Sequence, residues 1–189
     1  MITRIANEND ISEIMEIVEK AKSYMKENKI NQWSENYPNE DVFLTDLKEN
    51  RLYVAEIDKK VVGMAVLVLD GDDDYKNIDG KWLSDGKYGV IHRIAVHPDF
   101  KSQNEAKNLL DFFEDKLKEL NYDSIRVDTH KDNKSMLRFI EKNGFQKCGV
   151  VYIRKTDERI AFEKSLNKIK IANHLREDCP PLVCYFFNL

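Results

Sequence analysis

The chain has 189 residues, 42% of them apolar and 34% charged, with only 7 Gly and 4 Pro. That length holds one domain with a real hydrophobic core but not two full-sized ones, and the composition excludes disordered and collagen-like chains. A formal net charge of -4 argues against a nucleic-acid partner, no apolar run approaches the roughly 20 residues that span a membrane, and the N-terminus MITRIANENDISE lacks the pattern of an export signal.

Residues 2–6 open the chain as a short strand. Asp10 stands three residues before Glu13 in the manner of a capping box, and Ile11, Ile14, Val18, Ala21 and Met25 recur at three- and four-residue steps, which predicts an amphipathic helix. Residues 31–39, with Trp33, Tyr37 and Pro38, read as an ordered loop, and 42–49 as a second, shorter helix. The period then changes. Residues 52–57 and 61–69 are β-rich runs joined by Asp58-Lys59-Lys60, a hairpin signal. The four aspartates within 70–74 lack the offsets of a calcium loop, so no metal is expected and the stretch to about residue 87 reads as a solvated surface excursion.

Residues 88–96 form an apolar strand interrupted by His92 and Arg93 and stopped by His97-Pro98-Asp99. Strand alternation puts His92, Ile94 and Val96 on one face and Arg93 and Ala95 on the other. Ala106, Leu109, Leu110, Phe113, Leu117 and Leu120 mark the buried stripe of a helix over roughly 103–119. A strand at 124–130 and a helix at 133–143 follow, with Gly144 in the left-handed position past the helix end; 150–154 and 159–163 close the domain as an antiparallel pair. The order is therefore α/β: one mixed sheet with helices packed on it, in which 88–96 and 124–130 are parallel neighbours joined by a right-handed crossover.

The strand–loop–helix unit from Ile91 to Phe113 is the strongest local feature, because a helix that begins after a short loop offers unpaired backbone N–H groups suited to a phosphate. The run Ile91-His92-Arg93-Ile94-Ala95-Val96-His97-Pro98-Asp99-Phe100 with 101–110 resembles the acetyl-CoA-binding segment of the GCN5-related N-acetyltransferase (GNAT) family. Asn133-Lys134-Ser135-Met136 through Glu141-Lys142-Asn143-Gly144-Phe145 resembles that family's second signature, at the expected distance. Trp33 with Tyr37-Pro38, and Asp128-Thr129-His130 before Asn133, are similar to a bacterial subgroup of uncharacterised acetyltransferases. The resemblance covers residues 1–166 and implies a GNAT domain: a mostly antiparallel sheet with one splayed parallel strand pair and helices on both faces.

It also implies roles. The backbone of Ile94, Ala95 and Val96 would bind the pantetheine arm of acetyl-CoA, the donor substrate; the loop and helix start Lys101, Ser102, Gln103, Asn104, Glu105, Ala106 and Lys107 would hold its pyrophosphate; and Asn133 would hydrogen-bond the pantetheine side. The family loop usually has glycine where this chain has Asn104, a residue that tolerates left-handed backbone angles, and an apolar residue where it has Glu105. Weakened cofactor binding is the expectation. The tyrosine with which many relatives protonate the leaving thiolate is Ile140 here, which leaves Tyr152 on the next strand as a substitute acid. His92 is the first candidate base because imidazole titrates near neutral pH; His130, alternating with Asp128, is a second, and Glu56 is a third group able to orient a water. Trp33, Tyr37, Tyr75 and Tyr88 are candidates for the acceptor pocket, and the acidic chain favours a cationic acceptor.

Two classes of function stand beside each other on this reading. The first is an N-acetyltransferase that moves an acetyl group from acetyl-CoA to a primary amine, a small molecule or a peptide N-terminus, by direct attack in a ternary complex. The second is a CoA-binding, sensing or partner-binding module on the same fold. Residues 167–189 lie outside the resemblance and read as a helix followed by a docked apolar segment, in cis or in a homodimer. Cys148, Cys179 and Cys184 form neither a disulfide framework nor a zinc site and suit a reducing cytoplasm.

Overall fold

The computed structural model describes residues 1–69, 71–100 and 104–166. Eight strands form one sheet in the order β1-β2-β3-β5-β6-β8-β7-β4: β1 (Ile2–Ile5), β2 (Leu52–Ile57), β3 (Lys60–Val68), β4 (Asp79–Gly80), β5 (Tyr88–Val96), β6 (Ser124–Thr129), β7 (Gln146–Ile153) and β8 (Asp157–Ser165). All neighbours are antiparallel except β5 and β6, whose crossover runs through a helix as the sequence order requires. Among the described residues no helix is long and apolar enough to cross a membrane.

Helices cover both faces. On one, α1 (Ile11–Glu27) and α2 (Glu40–Lys48) bury Ile14, Val18 and Phe43 against Val54, Met64, Val66 and Ala95. On the other, α3 (Glu105–Glu119) and α4 (Lys134–Lys142) bury Leu109, Phe113, Leu117 and Ile140 against Ala65, Ile91, Ile125 and Phe162. Each such side chain is worth about 1.5–3 kcal/mol in burial, so the two faces together form the bulk of the favourable term. α3 lies close to β5 because Gly89 has no side chain: a Cβ there would meet Leu117 at 2.7 Å. The β2–β3 hairpin turns on Asp58 and Lys59, both at positive φ (49° and 66°), as a tight two-residue hairpin demands. Gly144, at φ 82°, ends α4 as expected.

One local expectation is corrected and a second is refined. The capping box is built one turn earlier than Asp10 and Glu13: Asp10 Oδ2 accepts the Asn7 N–H at 2.7 Å and Asn7 Oδ1 accepts that of Asn9 at 3.0 Å. Arg4 grips both Asp10 oxygens at 2.8 Å and holds that carboxyl below its ordinary range, while Glu13 accepts the Val61 N–H instead. The stretch after β3 is the largely exposed surface excursion expected, but it is pinned to the sheet at several points. Tyr75 is 1% exposed, stacks on Trp82 at 5.3 Å and takes the Trp82 indole N–H on its carbonyl at 3.1 Å. Farther on, fully buried Glu163 accepts the Leu83 N–H at 2.6 Å and the Ser84 hydroxyl at 3.0 Å, and Arg126 is held between the rings of Trp82 and Tyr88 at 4.1 and 3.6 Å. The segment from 71 to 87 is thereby fastened down across β6 and β8. Residues 167–189, with the expected helix and apolar segment, lie outside the described residues.

Candidate active site

β5 and β6 pair only at Tyr88, Gly89 and Val90 opposite Ser124, Ile125 and Arg126. From Ile91 to Val96 the polar backbone groups on the β6-facing side of β5 have no strand partner, so they are available to a ligand. On its other side β5 carries a bulge: Val66 faces His92 and Met64 faces Ala95, so two residues of β5, Arg93 and Ile94, lie against one of β3, Ala65. Arg93 supplies the extra residue at φ 52°, a conformation costing about 1–2 kcal/mol for a residue with a Cβ. Its guanidinium fixes the kink by donating to Asp46 Oδ2 at 2.6 Å and to the Tyr37 hydroxyl at 3.0 Å. The bulge breaks the expected alternation. His92 and Arg93 now point to the α1–α2 side, whereas Ile94 packs with the α3–α4 cluster.

Two cavities meet at this kink. A groove of about 1100 Å³ runs along Ile94, Ala95 and Val96, past the start of α3, to Asn133 and the outer face of α4. A smaller cavity of about 540 Å³ lies across β5, walled by Trp33, Tyr37, Asp72, His92, Arg93 and Arg154. Met25, Trp33, Ile94, Asn133 and Met136 line both, so a molecule in one reaches a molecule in the other at Ile94 and Asn133.

At the groove, Asn104 adopts the left-handed conformation (φ 66°, ψ 25°) that the sequence allows, and its side chain makes no cap bond to α3. The first amides of α3 are left without a capping side chain, in the geometry that receives an anion. Glu105 is 1% exposed, lines the groove, and its Oε1 has no hydrogen-bond partner among the described residues. A carboxylate in the first turn is favoured by the helix dipole and competes with a phosphate for the same amides. Asn133 caps α4 by accepting the Met136 N–H at 3.1 Å and donates one amide hydrogen to Gln32 Oε1 at 2.9 Å, which leaves its second hydrogen for a ligand.

In the smaller cavity His92 Nε2 lies 2.9 Å from Asp72 Oδ2. That hydrogen bond holds the Asp72 carboxyl below its ordinary range, so Asp72 stays ionised. With the proton on Nε2 donated to Asp72, the lone pair of neutral His92 sits on Nδ1, which makes no hydrogen bond to a described residue. Asp128 stands behind this pair, pushed up by burial, and accepts the Tyr75 hydroxyl at 2.7 Å. Burial and the neighbouring Asp128 charge push Tyr75 upward in turn, so it keeps its proton.

The structure gathers Ile94, Ala95, Val96, Asn104, Glu105, Ala106, Lys107 and Asn133 on the groove, and His92 on the adjoining cavity. Lys101, Ser102 and Gln103 lie outside the described residues. His130 and Tyr152 line neither cavity. His130 accepts the Asp132 N–H in a turn, and burial with the nearby Arg159 charge lowers its pKa; Tyr152 is 43% exposed on the outward face of β7. Asp128 serves Tyr75 rather than His130, and Glu56 is paired with Arg4 on β1. Of the aromatic candidates Trp33 and Tyr37 line the cavity, Tyr75 is beneath it, and Tyr88 holds Arg126. Sequence reading missed Gln32, whose Oε1 accepts from Thr129 Oγ1, the His130 N–H and Asn133 Nδ2, and it missed Asp72 as the partner of His92. Gln32 adjoins Trp33 in a loop already singled out; nothing in the acidic run distinguishes Asp72 from its neighbours.

A splayed parallel pair, a bulged central strand and a groove opening on a helix start define an acyl-transferase fold. The sequence model of the acetyltransferase (GNAT) family matches residues 13–145, and the chain belongs to that family. It is similar to a solved GNAT-family acetyltransferase from Streptococcus agalactiae, with 29% identity and a TM-score of 0.80 over 88% of this chain and 96% of that one. A putative acetyltransferase from Staphylococcus aureus shares 27% identity and a TM-score of 0.68 over 88% of this chain and all of that one. The ribosomal-protein-alanine N-acetyltransferase of Brucella melitensis, at 16% identity and a TM-score of 0.62 over 87% of this chain and 99% of that one, shares the fold. No curated protein sequence matches the chain.

Proposed function

We propose that the protein is an N-acetyltransferase that moves an acetyl group from acetyl-CoA to a primary amine by direct attack in a ternary complex. The observation that carries this reading is the meeting of two cavities at Ile94 and Asn133: one lies along unpaired backbone and a helix start, the other holds an ionisable pair. The groove residues fit the donor, since the free edge of β5 suits an amide-bearing arm and the uncapped α3 amides suit phosphate. Acetyl-CoA supplies the thioester. The chain's own residues do the rest.

His92 takes the proton that the amine loses, through Nδ1, and Asp72 orients the ring and stabilises the imidazolium that results. Trp33 and Met25, lining both cavities, keep water from the junction, and fixing both substrates there supplies the orientation that replaces a covalent intermediate. The position of the missing tyrosine is occupied by buried Ile140, so no side chain from α4 protonates the leaving thiolate, which departs as a comparatively weak base.

Buried Ile140 and the Glu105 carboxylate together favour a second reading, a CoA-binding module without turnover. Thiol release from acetyl-CoA, followed with a panel of primary amines, separates the two. Amine-dependent release with a mass gain of one acetyl group on the amine supports the enzyme; binding of acetyl-CoA with no amine-dependent release supports the module.

A further inference from the structure

The charges left over on the wall of the smaller cavity define the acceptor more closely, on the reading that this cavity receives the amine. Most of its ionic groups are matched. Arg51 and Arg93 share buried Asp46 at 2.7 and 2.6 Å, and Arg51 also pairs with Glu49. Arg159 donates to the carbonyls of Glu158 and Gln32 at 3.0 and 3.3 Å and lies within 4 Å of two carboxylates, Asp157 at 3.7 Å and Asp128 at 3.9 Å. Asp72 has His92 and Asp73 has Lys76.

Arg154 is the exception. Its guanidinium lies over the Tyr37 ring, 4.2 Å from the centroid, with no carboxylate partner among the described residues. Asp74, beside it, accepts the Arg154 backbone N–H at 3.1 Å. A second, independent observation lies at the other end of the same tyrosine. The Tyr37 hydroxyl accepts from the Arg93 guanidinium at 3.0 Å, and its own hydrogen has no acceptor among the described residues. Guanidinium N–H groups match a planar anion, and a phenolic O–H can donate to the same one. Tyr37 therefore carries an unmatched cation on its face and a free hydroxyl hydrogen at its other end, both residues lining the cavity.

We propose that Arg154 and the Tyr37 hydroxyl receive the carboxylate of the acceptor, so that the amines acetylated here are free amino acids rather than the cationic amines that the acidic chain suggested. The amine of such a molecule points toward His92 and Asp72, on the wall they share with Arg93. The aspartates at 72–74 on that wall favour a singly charged carboxylate over a doubly charged phosphate.

The test has two arms. In the first, the full chain is assayed with acetyl-CoA and L-amino acids, each against its carboxamide, with phosphoethanolamine as a further amine. The expected result is at least about a tenfold preference for the acid in kcat/KM, expressed in KM, which collapses in Arg154→Ala and inverts in Arg154→Glu. In the second arm, calorimetry without CoA compares N-acetyl amino acids with their amides, and the acids bind more tightly to the wild type but not to Arg154→Glu. Equal use of acids and amides, a preference that survives Arg154→Glu, or a preference for phosphoethanolamine overturns the carboxylate site while leaving the acetyltransferase reading intact. Tight binding of the acids with no turnover of any amine supports the site and overturns that reading.

Discussion

The groove is lined by a few continuous stretches, residues 94–98, 104–108 and 133–143 with α1 from Glu16 to Glu27, whereas the smaller cavity draws on residues near 33, 51, 72, 92, 128, 154 and 159. The groove wall depends on backbone: an unpaired strand edge and a helix start set by one left-handed residue. The cavity depends on side chains, and several are fixed by contacts across great sequence distance, such as Tyr75 to Asp128 and Gln32 to Asn133. A binding surface made of backbone tolerates substitution as long as the chain path holds. One made of convergent side chains changes its chemistry with any of them, which is why a shared donor and varied acceptors can live on one fold.

That contrast is open to breakage at four positions. His92→Ala should lower kcat by about 100-fold, as expected for loss of a general base, and leave acetyl-CoA affinity unchanged; steady-state kinetics beside calorimetry reads both, and an unchanged kcat would remove His92 from the reaction. Tyr75→Phe deprives Asp128 of its donor, and a loss of about 1–3 kcal/mol in unfolding free energy is expected, with a raised acceptor KM and an unaltered acetyl-CoA KM. Asn104→Val forces a β-branched residue into the left-handed region at about 1–2 kcal/mol, which should weaken acetyl-CoA binding by about tenfold and spare the acceptor KM. The smallest effect is a pH trend. Burial raises Asp128 above the ordinary carboxyl value of 3.8, so its protonated form favours the folded state, and that contribution is lost as pH rises through the raised value. The stability of Asp128→Asn relative to the wild type should therefore grow on going from about pH 4 to about pH 8, read by thermal melts; a gap that stays constant would contradict the assignment.

The donor half was the legible half. Apolar periodicity marks β5 as Tyr88–Val96 with the bounds observed, and the switch to a 3.6-residue stripe places α3 within two residues of its start. Asn104 in a position suited to glycine points directly to the backbone angle found. Alternation failed at one residue, Arg93: its bulge is stabilised by Asp46 and Tyr37, 47 and 56 residues away, and no local pattern announces it. That one residue decides that Arg93 shares the side of His92 and that Ile94 turns to the opposite face. Tyr152, judged by distance along the chain alone, falls on the exposed side of β7, where period-two alternation around buried Val151 sends it.

The central claim is that the groove beside β5 binds acetyl-CoA despite Asn104 and Glu105, and calorimetric titration of acetyl-CoA into the folded protein, with desulfo-CoA as a control, tests it most directly. The account predicts micromolar binding, weakened in Asn104→Val and tightened in Glu105→Gln, where the competing charge is gone. Folded protein that takes up no acetyl-CoA at millimolar concentration would contradict it.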